Sequence, residues 1–567
     1  MGSEKASAAD GRIMNVNVGI LGHIDSGKTS LARALSTLLS TAALDKHPQS
    51  LERGITLDLG FSAFQVDLPE HLASLPFDKL QFTLVDCPGH ASLIKTIIGG
   101  AQIIDVMLLV IDVTKGIQTQ TAECLIVGEV SPCHDMVVVL NKVDLLPDES
   151  RDAKIEKMKN GLRKTFAATK FRDCAMVATS ASPGGPDGRD QQRQSSGVDE
   201  LVNVLRSRVR PMHRSSEGSF LFAVDHCFPI RGQGTVLTGT VLRGHVAVNQ
   251  SIELPELKVQ KKVKSMQMFH RPVQRAIQGD RVGLCVTQLD AKTIERGLAA
   301  EPGTVPTIFG ALARVHKIRY FKGRIPSKAK FHVTAGHSTV MAETRFFSSE
   351  TGQRGSDERK LESANEGAFD FERDYWYQEE LLDEEATVSG RGDESTPAKP
   401  GAQWVFLTFE TPITCPLGAL LIGSRLDTDI HTNTCRLAFH GRLLQAMDPR
   451  DKDALQSLEV FKTKRRERKL RVFKTKRREG VIERYVDGNS AVGRGLFKKE
   501  TDISQFVGLR VTTEAGEEGT IQSSFGKSGK FKLHFPGGVQ QASGQASKVT
   551  LEFKRFIYDR SKRMIQL

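Results

Sequence analysis

One eight-residue stretch constrains this chain more than any other: Gly22-His23-Ile24-Asp25-Ser26-Gly27-Lys28-Thr29 fits the pattern GxxxxGK[ST]. In such a loop, backbone N–H groups face the phosphates of a nucleoside triphosphate, the lysine reaches the β- and γ-oxygens, and the last hydroxyl binds Mg²⁺. A Gly-rich turn can match by chance, but an apolar run at 16–21 precedes this one and helical spacing follows at 31–35. The sequence therefore predicts a phosphate-binding loop between a strand and a helix, made of Gly22, Asp25, Ser26, Gly27, Lys28, Thr29 and Ser30.

Two later segments supply the parts with which a switch-type hydrolase senses the γ-phosphate. In Glu52-Arg53-Gly54-Ile55-Thr56, the hydroxyl of Thr56 is predicted to join the Mg²⁺ site only when that phosphate is present. In Asp86-Cys87-Pro88-Gly89-His90, Asp86 is predicted to hold the Mg²⁺ hydration shell and the Gly89 backbone to approach the γ-phosphate. His90 would then orient the attacking water. Taken alone, His90 would more often be a surface histidine at the start of a helix, but this constellation favours catalysis.

A third motif reads the base. The run Asn141-Lys142-Val143-Asp144 follows an apolar strand, and its carboxylate can accept from the ring N1–H and exocyclic amine of guanine. A further strand at 175–179 leads into Ser180-Ala181, where a GTPase uses a backbone contact to the guanine oxygen. GTPases usually have Ser-Ala-Lys there, so the stacking lysine is missing. An alternating β/α domain with a mainly parallel sheet is predicted over 15–211, after an extension over 1–14.

Length and composition limit the remaining possibilities. At 567 residues the chain is too long for one core, and three to five domains are expected. No apolar run is long enough to span a bilayer and residues 1–10 lack the apolar core of a secretory signal, so we expect a cytoplasmic protein without membrane contact. The eight cysteines contain no CxxC pair, which argues against both a disulfide framework and a zinc ribbon.

Beyond the first domain the pattern changes to short alternating runs bounded by glycine, which is typical of small antiparallel β-barrels. We predict a multidomain chain in which an α/β P-loop GTPase domain is followed by three such barrels, over 217–305, 306–446 and 447–567. An acidic insertion over 348–400 interrupts the second of these, and within it 369–382 is interpreted as a short docked helix.

The positive charge is concentrated at the C-terminal end. The chain carries a formal net charge of +12, and residues 447–567 hold 27 Lys and Arg against 15 Asp and Glu. This predicts a polyanionic partner for the last domain. The segment VFKTKRRE occurs twice there, at 460–467 and 472–479, and the sequence leaves open whether the copy is a real duplication or a gene-model artefact. The basic run also matches the composition of a nuclear-localisation signal, so a nuclear pool is possible beside the cytoplasmic one.

The motifs GHIDSGKT, ERGIT, DCPGH and NKVD together resemble those of the translational GTPases of the elongation factor Tu group. The stretch DCPGHASLIKTIIGGAQIIDVMLLVIDVTKGIQTQ is most similar to the selenocysteine-specific elongation factors, and the resemblance covers almost the whole chain. It implies a monomeric GTPase that uses GTP, GDP and Mg²⁺, binds selenocysteinyl-tRNA and delivers it to the ribosome at recoded UGA codons. It also implies that His90 positions the hydrolytic water when the ribosome engages it.

Three residues of the second domain acquire a role from this resemblance. From pattern alone, Asp225-His226 is an ordinary surface pair and Arg281, after Asp280, an ordinary partner in a surface ion pair. In the resembled family these positions match the selenocysteinyl pocket. A selenol is an anion at neutral pH whereas a serine hydroxyl is not, so Arg281 and His226 can favour the anion. Asp225 can bond the aminoacyl amine or orient the imidazole.

The last domain carries a further likeness. SSFGKSGKFKLHFPGG and LFKKETDISQFVGLRV resemble the fourth domain of the eukaryotic and archaeal factors rather than the winged helices of the bacterial ones. That implies a separate SECIS-binding protein on the mRNA. Two alternatives stay open: a translational GTPase related to the initiation factor 2 γ-subunit or a general elongation factor, and a nucleotide-gated RNA-binding scaffold that barely hydrolyses GTP.

Overall fold

The structure is a computed structural model, and the motif residues Thr56 and His90 lie outside the part of it that can be described. All statements below concern the described residues, which are 13–36, 38–39, 59–89, 96, 98, 101–183, 195–212, 214–349, 369–383, 402–427, 434–446, 460–463, 466–526, 528–540, 547–557 and 564–566.

The first domain is a seven-stranded sheet with helices packed against it. Its strands are β1 (Ile13–Gly22), β2 (Leu38–Leu39), β3 (Gly60–Asp67), β4 (Lys79–Asp86), β5 (Val106–Asp112), β6 (Asp135–Asn141) and β7 (Ala175–Thr179). Its helices are α1 (Lys28–Leu35), α2 (Thr119–Val130), α3 (Arg151–Phe166) and α4 (Val198–Arg208). The sheet order is β2-β3-β4-β1-β5-β6-β7. The five neighbouring strands β4, β1, β5, β6 and β7 are parallel to one another. Strands β5 and β6 are buried along their whole length, as a sheet covered on both faces requires.

This domain confirms the predicted α/β fold. The apolar runs at 16–21 and 175–179 lie within β1 and β7, and the apolar strand predicted before the base-reading motif is β6. Because the carboxyl ends of parallel strands meet at one edge of a sheet, the loops after β1, β4 and β6 are brought together there.

The second domain is a closed six-stranded barrel. Its strands are β8 (Leu221–Ile230), β9 (Gly234–Arg243), β10 (His245–Ala247), β11 (Ser251–Leu254), β12 (Val259–Met268), β13 (Arg271–Val273), β14 (Arg275–Ile277), β15 (Arg281–Val286) and β16 (Gly297–Ala300). The ring β11-β16-β8-β9-β15-β12 closes because β11 also pairs with β12. Closure leaves no free edge in the ring, which is how small barrels avoid edge-to-edge association.

The third domain repeats this construction. Its strands are β17 (Thr307–Lys317), β18 (Lys330–Ala335), β19 (Ser338–Ser348), β20 (Tyr375–Gln378), β21 (Gln403–Thr414), β22 (Leu420–Ser424) and β23 (Leu437–Ala446). The ring β18-β22-β23-β17-β21-β19 closes through pairing of β18 with β19. Strand β20 is not part of this ring but pairs with the C-terminal end of β19.

The fourth domain is a third closed ring. Its strands are β24 (Val460–Thr463), β25 (Arg466–Lys469), β26 (Val472–Tyr485), β27 (Ser490–Arg494), β28 (Arg510–Thr513), β29 (Glu518–Phe525), β30 (Lys530–His534), β31 (Lys548–Phe556) and β32 (Met564–Gln566). The ring β26-β27-β30-β29-β28-β31 closes because β26 also pairs with β31. The predicted sequence of one GTPase domain and three barrels is thus confirmed.

The two copies of VFKTKRRE occupy different places. The second copy forms most of β26 in the barrel, whereas the first starts a separate two-stranded hairpin of β24 and β25. The residue that follows each copy explains the choice. A Cβ at Gly480 would lie 2.7 Å from the carbonyl oxygen of Arg494, so this register needs a glycine, and the first copy is followed by Arg468.

The prediction of a helix over 369–382 is wrong, because this segment contains strand β20. It joins the third and fourth domains into one sheet, antiparallel to β19 and parallel to β26. Tyr375 and Val472 are buried in a shared aromatic cluster, and the Trp376 ring packs at an angle of 53° against Phe473 with 4.7 Å between ring centroids. Aromatic residues favour strands. Pairing with distant strands and burial therefore determine the conformation of this segment, despite the acidic residues around it.

The first and third domains share a hydrophobic core. Ile318, Ile422 and Leu437 of the third domain pack in the same cluster as the α/β core. Beside it, the guanidinium of Arg436 donates to both carboxylate oxygens of Glu123 on α2, at 2.9 and 2.6 Å. Both side chains are almost fully buried, with exposed fractions of 5% and 2%.

We expect Glu123→Ala to destabilise the folded chain by about 3–5 kcal/mol, because it leaves the Arg436 guanidinium buried without a counter-charge. The change in free energy of unfolding can be measured by chemical denaturation. Glu514→Ala is the matched control, since Glu514 and Lys548 form an ion pair in which both side chains are more than half exposed. That control should cost less than about 1 kcal/mol. Equal stability of the two variants would contradict the prediction.

Candidate functional site

The loop between β1 and α1 forms a cradle of the phosphate-binding type. The Lys28 side chain is buried, and its Nζ donates to the carbonyl oxygen of His23 at 2.8 Å. Burial lowers the pKa of Lys28, while the neighbouring Asp86 carboxylate opposes that shift. The Ser26 hydroxyl is buried and has no hydrogen-bond partner within the described part of the chain. A buried polar atom of this kind suits a loop whose partner is a ligand oxygen.

The predicted Mg²⁺ residues that the structure describes lie together. The Thr29 hydroxyl donates to Asp86 Oδ2 at 2.7 Å, and Asp86 is buried at the carboxyl end of β4. The Gly89 backbone lies so close to the Lys28 side chain that a Cβ added to Gly89 would be 2.2 Å from Lys28 Nζ. A side chain there would therefore fill the space beside the lysine, which gives the predicted close approach of the Gly89 backbone a steric reason. Thr56 and His90 keep their sequence-based assignments.

The base-reading motif is tied to the phosphate loop through Asn141. Its Nδ2 donates to the carbonyl oxygen of Ser26 at 2.9 Å, and its Oδ1 accepts from the backbone N–H of Ala181 and the hydroxyl of Thr179, both at 3.2 Å. Gly27 has φ of +89° and no room for a Cβ, which would lie 2.2 Å from Asn141 Nδ2. Asn141 therefore acts as a brace between the phosphate loop and the segment after β7.

The other residues of the predicted guanine site lie around this brace. The Ser180 hydroxyl donates to Asp144 Oδ1 at 2.5 Å, and Lys142 forms an ion pair with Asp112 at 2.9 Å. Lys142 adopts the left-handed backbone conformation, with φ of 68°. The structure thus brings together the phosphate loop and all five predicted base-site residues: Asn141, Lys142, Asp144, Ser180 and Ala181.

The second candidate site lies in the second domain. Arg281 at the start of β15 forms an ion pair with Asp225 on β8, and both side chains are buried, with exposed fractions of 4% and 3%. The register of β8 against β9 shifts between Val224 and His226, so Asp225 sits in a β-bulge. A bulge re-aims side chains, which allows two successive residues to serve one site. The surface pairing that pattern alone would suggest is wrong for Asp225 and Arg281.

The Arg281 guanidinium keeps unused bonding capacity. Its Nε and Nη2 are buried and have no hydrogen-bond partner among the described residues. Burial lowers the pKa of Arg281, and the ion pair with Asp225 opposes the shift. A guanidinium paired with a carboxylate stays a cation at neutral pH. The site therefore presents a fixed positive charge with donors available to an anion.

Sequence reasoning missed one residue of this site, Phe61 of β3. The centroid of its ring lies 3.0 Å from the guanidinium carbon of Arg281, and the ring meets that of His226 edge-on at 6.3 Å. Phe61 belongs to the nucleotide domain and follows the predicted γ-phosphate sensor Thr56 by five positions. No local signal could have identified it, because a phenylalanine in a strand is ordinarily a core residue.

The third domain also reaches this region. The carbonyl oxygen of Gly336, in the turn between β18 and β19, accepts from Gln102 at 3.5 Å. The adjacent His337 has a pKa lowered mainly by burial, with Asp225 opposing the shift and Arg296 adding to it. Arg296 in turn donates to Thr96 at 3.5 Å. Three domains therefore meet around the Asp225 and Arg281 pair.

Four family models match successive parts of the chain between residues 14 and 547. The model of the elongation factor Tu GTP binding domain matches residues 14–211, and that of elongation factor Tu domain 2 matches 234–298. The third domain of the eukaryotic selenocysteine-specific elongation factor matches 312–441, and the C-terminal RIFT domain of eEFSec matches 468–547. The selenocysteine-specific elongation factor of Mus musculus is 50% identical over 599 aligned residues, which cover 98% of this chain and 99% of the mouse protein.

The chain belongs to the selenocysteine-specific elongation factors. Within this family, the factor of Methanocaldococcus jannaschii is 37% identical over 332 residues, covering 58% of this chain and 65% of the archaeal protein. The structure of translation elongation factor SelB from Methanococcus maripaludis, in complex with the GTP analogue GppNHp, superposes with a TM-score of 0.65 at 25% identity. That match covers 98% of this chain and 99% of the archaeal one.

The structure of a bacterial selenocysteine-specific elongation factor shares the fold over a smaller part. It matches with a TM-score of 0.53 at 20% identity, covering 77% of this chain and 60% of the bacterial one. The family resemblance that the motifs predicted is therefore confirmed, and so is the GTPase activity that comes with it. Among the helices in the described part of this selenocysteine-specific elongation factor, none has the length and hydropathy to cross a membrane.

Proposed function

We propose that this factor binds selenocysteinyl-tRNA in its GTP-bound state, brings it to the ribosome at recoded UGA codons and hydrolyses GTP on codon recognition. One observation carries the proposal: the braced nucleotide site and the buried cationic site lie on different domains, and Phe61 links them by stacking directly on Arg281. A change in the nucleotide domain can therefore alter the aminoacyl site through contact. Tight binding in one nucleotide state and release in the other require such a link.

The nucleotide roles follow the geometry. Gly22, Lys28 and the backbone of the loop surround the phosphates, while Asp144 reads the guanine edge and Asn141 holds the loop in place. The Thr29 hydroxyl and the Asp86 carboxylate form an oxygen donor set of the kind Mg²⁺ prefers, and they lie within hydrogen-bond distance of each other. When bound there, Mg²⁺ would neutralise charge on the β- and γ-phosphates, with Thr56 added from the switch segment.

The aminoacyl site selects by charge. A selenolate is an anion at neutral pH, and the Arg281 donors Nε and Nη2 are available to it, whereas a neutral serine hydroxyl gains little from a fixed cation. Asp225 orients the guanidinium through its ion pair. His226 closes one side of the site, packed against Phe61.

Several partners follow from the same proposal. The basic fourth domain would contact RNA phosphates on the tRNA or the ribosome, and a SECIS-binding protein would supply the mRNA recognition that this domain does not provide. We place the factor in the cytoplasm, with a possible nuclear pool, as a monomer. The proposed domain boundaries are those given by the sequence pattern, near residues 211, 305 and 446.

The test is GTP hydrolysis with ribosomes programmed by a UGA codon and selenocysteinyl-tRNA. We expect strong stimulation over the intrinsic rate, and a loss of roughly 10²- to 10⁴-fold of the stimulated rate in His90→Ala, because removing a general base or water-orienting group costs about that much. GTP affinity should be unchanged, which separates catalysis from binding. If programmed ribosomes do not accelerate hydrolysis by the unaltered protein, delivery of a tRNA to the ribosome is the wrong function.

A further inference from the structure

A pocket in the fourth domain is not used by any role assigned above. It has a volume of about 390 Å³ and lies between the loop before β28 and the turn between β29 and β30. Its described lining residues are Lys499, Thr501, Asp502, Ile503, Ser504, Val507, Ser523, Ser524, Gly526 and Gly529. This volume falls in the range of small-molecule sites and is enough for a single nucleotide.

The lining combines hydroxyl groups with an apolar wall. Ser523 and Ser524 line the pocket, and a serine hydroxyl can both donate to and accept from a ligand. Val507, another lining residue, is a large apolar side chain with 47% of its surface exposed. A flat ring with polar edges matches such a pocket better than either a purely apolar or a purely ionic ligand.

An aromatic ring with two cations flanks the pocket. Phe525 lies between the lining residues Ser524 and Gly526 and is half-buried. The guanidinium carbon of Arg484 is 5.5 Å from its ring centroid, and the Lys532 ammonium is 5.8 Å away. Arg484 and Lys532 are exposed. Both cations lie over the ring. Surfaces that bind single-stranded RNA combine aromatic rings, on which bases stack, with cations that meet the phosphates.

The charges of the pocket decide which part of a nucleotide enters it. The Asp502 carboxylate accepts from the backbone and hydroxyl of Ser504 and from Gln505, and these bonds lower its pKa, so it stays ionised. An ionised carboxylate repels a phosphate inside the pocket, but it can accept from the N–H groups of a base. Lys499 is exposed at the pocket, where it can meet the phosphate instead.

We propose that this pocket binds the base of an unpaired nucleotide of RNA, with Phe525 as the stacking platform for the neighbouring base and Lys499, Arg484 and Lys532 as the phosphate contacts. The proposal rests on the proposed function only in that the fourth domain meets RNA during delivery. The unpaired nucleotide can come from the tRNA or from the mRNA, since both offer the same chemistry.

The experiment uses the full chain and a fluorescein-labelled uridine decamer, with binding followed by fluorescence anisotropy. We expect Phe525→Ala to weaken binding by roughly 5- to 150-fold, because stacking contributes about 1–3 kcal/mol per base. The slope of log K against log salt should not change in that variant. Lys499→Gln should lower the slope by about 0.7, the value for one phosphate contact on a single strand. Val486→Ala is the control, because Val486 is an exposed apolar residue of the same domain outside the lining.

Two further arms make the outcome decisive. A duplex of the same length should lose the effect of Phe525→Ala, since its bases are not free to stack. Photocrosslinking with a 4-thiouridine decamer should label residues 499–507 or 523–529. Binding of the decamer that is indifferent to Phe525→Ala, or crosslinks confined to other segments, would overturn the proposal.

Competition with unlabelled tRNA or with unlabelled selenoprotein mRNA shows which RNA supplies the unpaired nucleotide. Displacement of the labelled decamer by either RNA agrees with the proposal. Ribosome-stimulated GTP hydrolysis is measured on the same variants. A Phe525→Ala variant that keeps the ribosome-stimulated hydrolysis but binds the decamer more weakly by the expected factor supports the pocket. A protein that binds the decamer but is not stimulated by ribosomes leaves the pocket in place and removes the delivery function instead.

Discussion

Asp144→Asn should change the nucleotide preference of this factor from GTP to XTP. The Asp144 carboxylate is expected to accept two hydrogen bonds from guanine, and a site built to make such bonds rejects a ligand that cannot complete them by large factors. We expect GTP affinity to fall by roughly 10³-fold. In xanthine a carbonyl oxygen replaces the exocyclic amine, so the amide of an asparagine can donate where the carboxylate accepted.

The structure also predicts how the asparagine would be oriented. Ser180 donates its hydroxyl to Asp144 Oδ1, and an asparagine keeps this donated bond when its amide oxygen takes the place of Oδ1. Its NH₂ group is then left to face the base. The double variant Ser180→Ala with Asp144→Asn should therefore show a weaker preference for XTP than Asp144→Asn alone.

Competition against a fluorescent guanine nucleotide measures these affinities. Asp148→Asn is the control, because Asp148 is four residues away, 87% exposed, and forms a surface ion pair with Arg151. It should leave both affinities unchanged. If Asp144→Asn still prefers GTP to XTP, the carboxylate does not read the base, and the assignment of the guanine site to this motif fails.

The nucleotide site could be predicted from sequence because its chemistry is local. Each of its motifs comes directly after an apolar run, and parallel strands with buried faces bring those motifs to one edge of the sheet whatever the rest of the chain does. The brace was not predictable in the same way. That Asn141 joins the carbonyl of Ser26 to the N–H of Ala181 depends on the exact distance between three loops.

The aminoacyl site shows where local reasoning ends. Asp225 and Arg281 are separated by 56 positions, and their burial depends on a bulge in β8 and on packing against another domain. Pattern alone therefore favoured the surface, and only the family resemblance indicated a pocket. The helix predicted in place of strand β20 failed for the same reason, because Trp376 pairs with Ser348 of the third domain and with Phe473 of the fourth.

Arg281→Ala should abolish the preference of this factor for selenocysteinyl-tRNA over seryl-tRNA. The guanidinium is the fixed cation of the site, and its Nε and Nη2 are the donors that a selenolate would use. A hydrogen bond between a charged donor and an anion contributes about 1.5–3 kcal/mol, so we expect selenocysteinyl-tRNA to bind roughly 10- to 150-fold more weakly. Binding of seryl-tRNA should change far less, because its hydroxyl is neutral.

The measurement is the protection of the aminoacyl ester from spontaneous hydrolysis, with GTP present, comparing selenocysteine and serine on the same tRNA body. The unaltered protein should protect the selenocysteinyl ester strongly and the seryl ester weakly. In Arg281→Ala both should hydrolyse at nearly the same rate. The GTP affinity of each variant provides an independent check that its nucleotide domain is intact.

A folding defect must be separated from the loss of charge, because Arg281→Ala leaves the Asp225 carboxylate buried and unpaired, which costs about 3–5 kcal/mol. The double variant Asp225→Asn with Arg281→Gln avoids this. Its two amides can bond each other in the place of the ion pair, so the domain stays folded without a cation. Arg281→Lys is the complementary variant, since it keeps the charge but loses the forked donors. If the neutral double variant still protects the selenocysteinyl ester as the unaltered protein does, selection does not rest on charge, and the shape of the site around Phe61 must account for it.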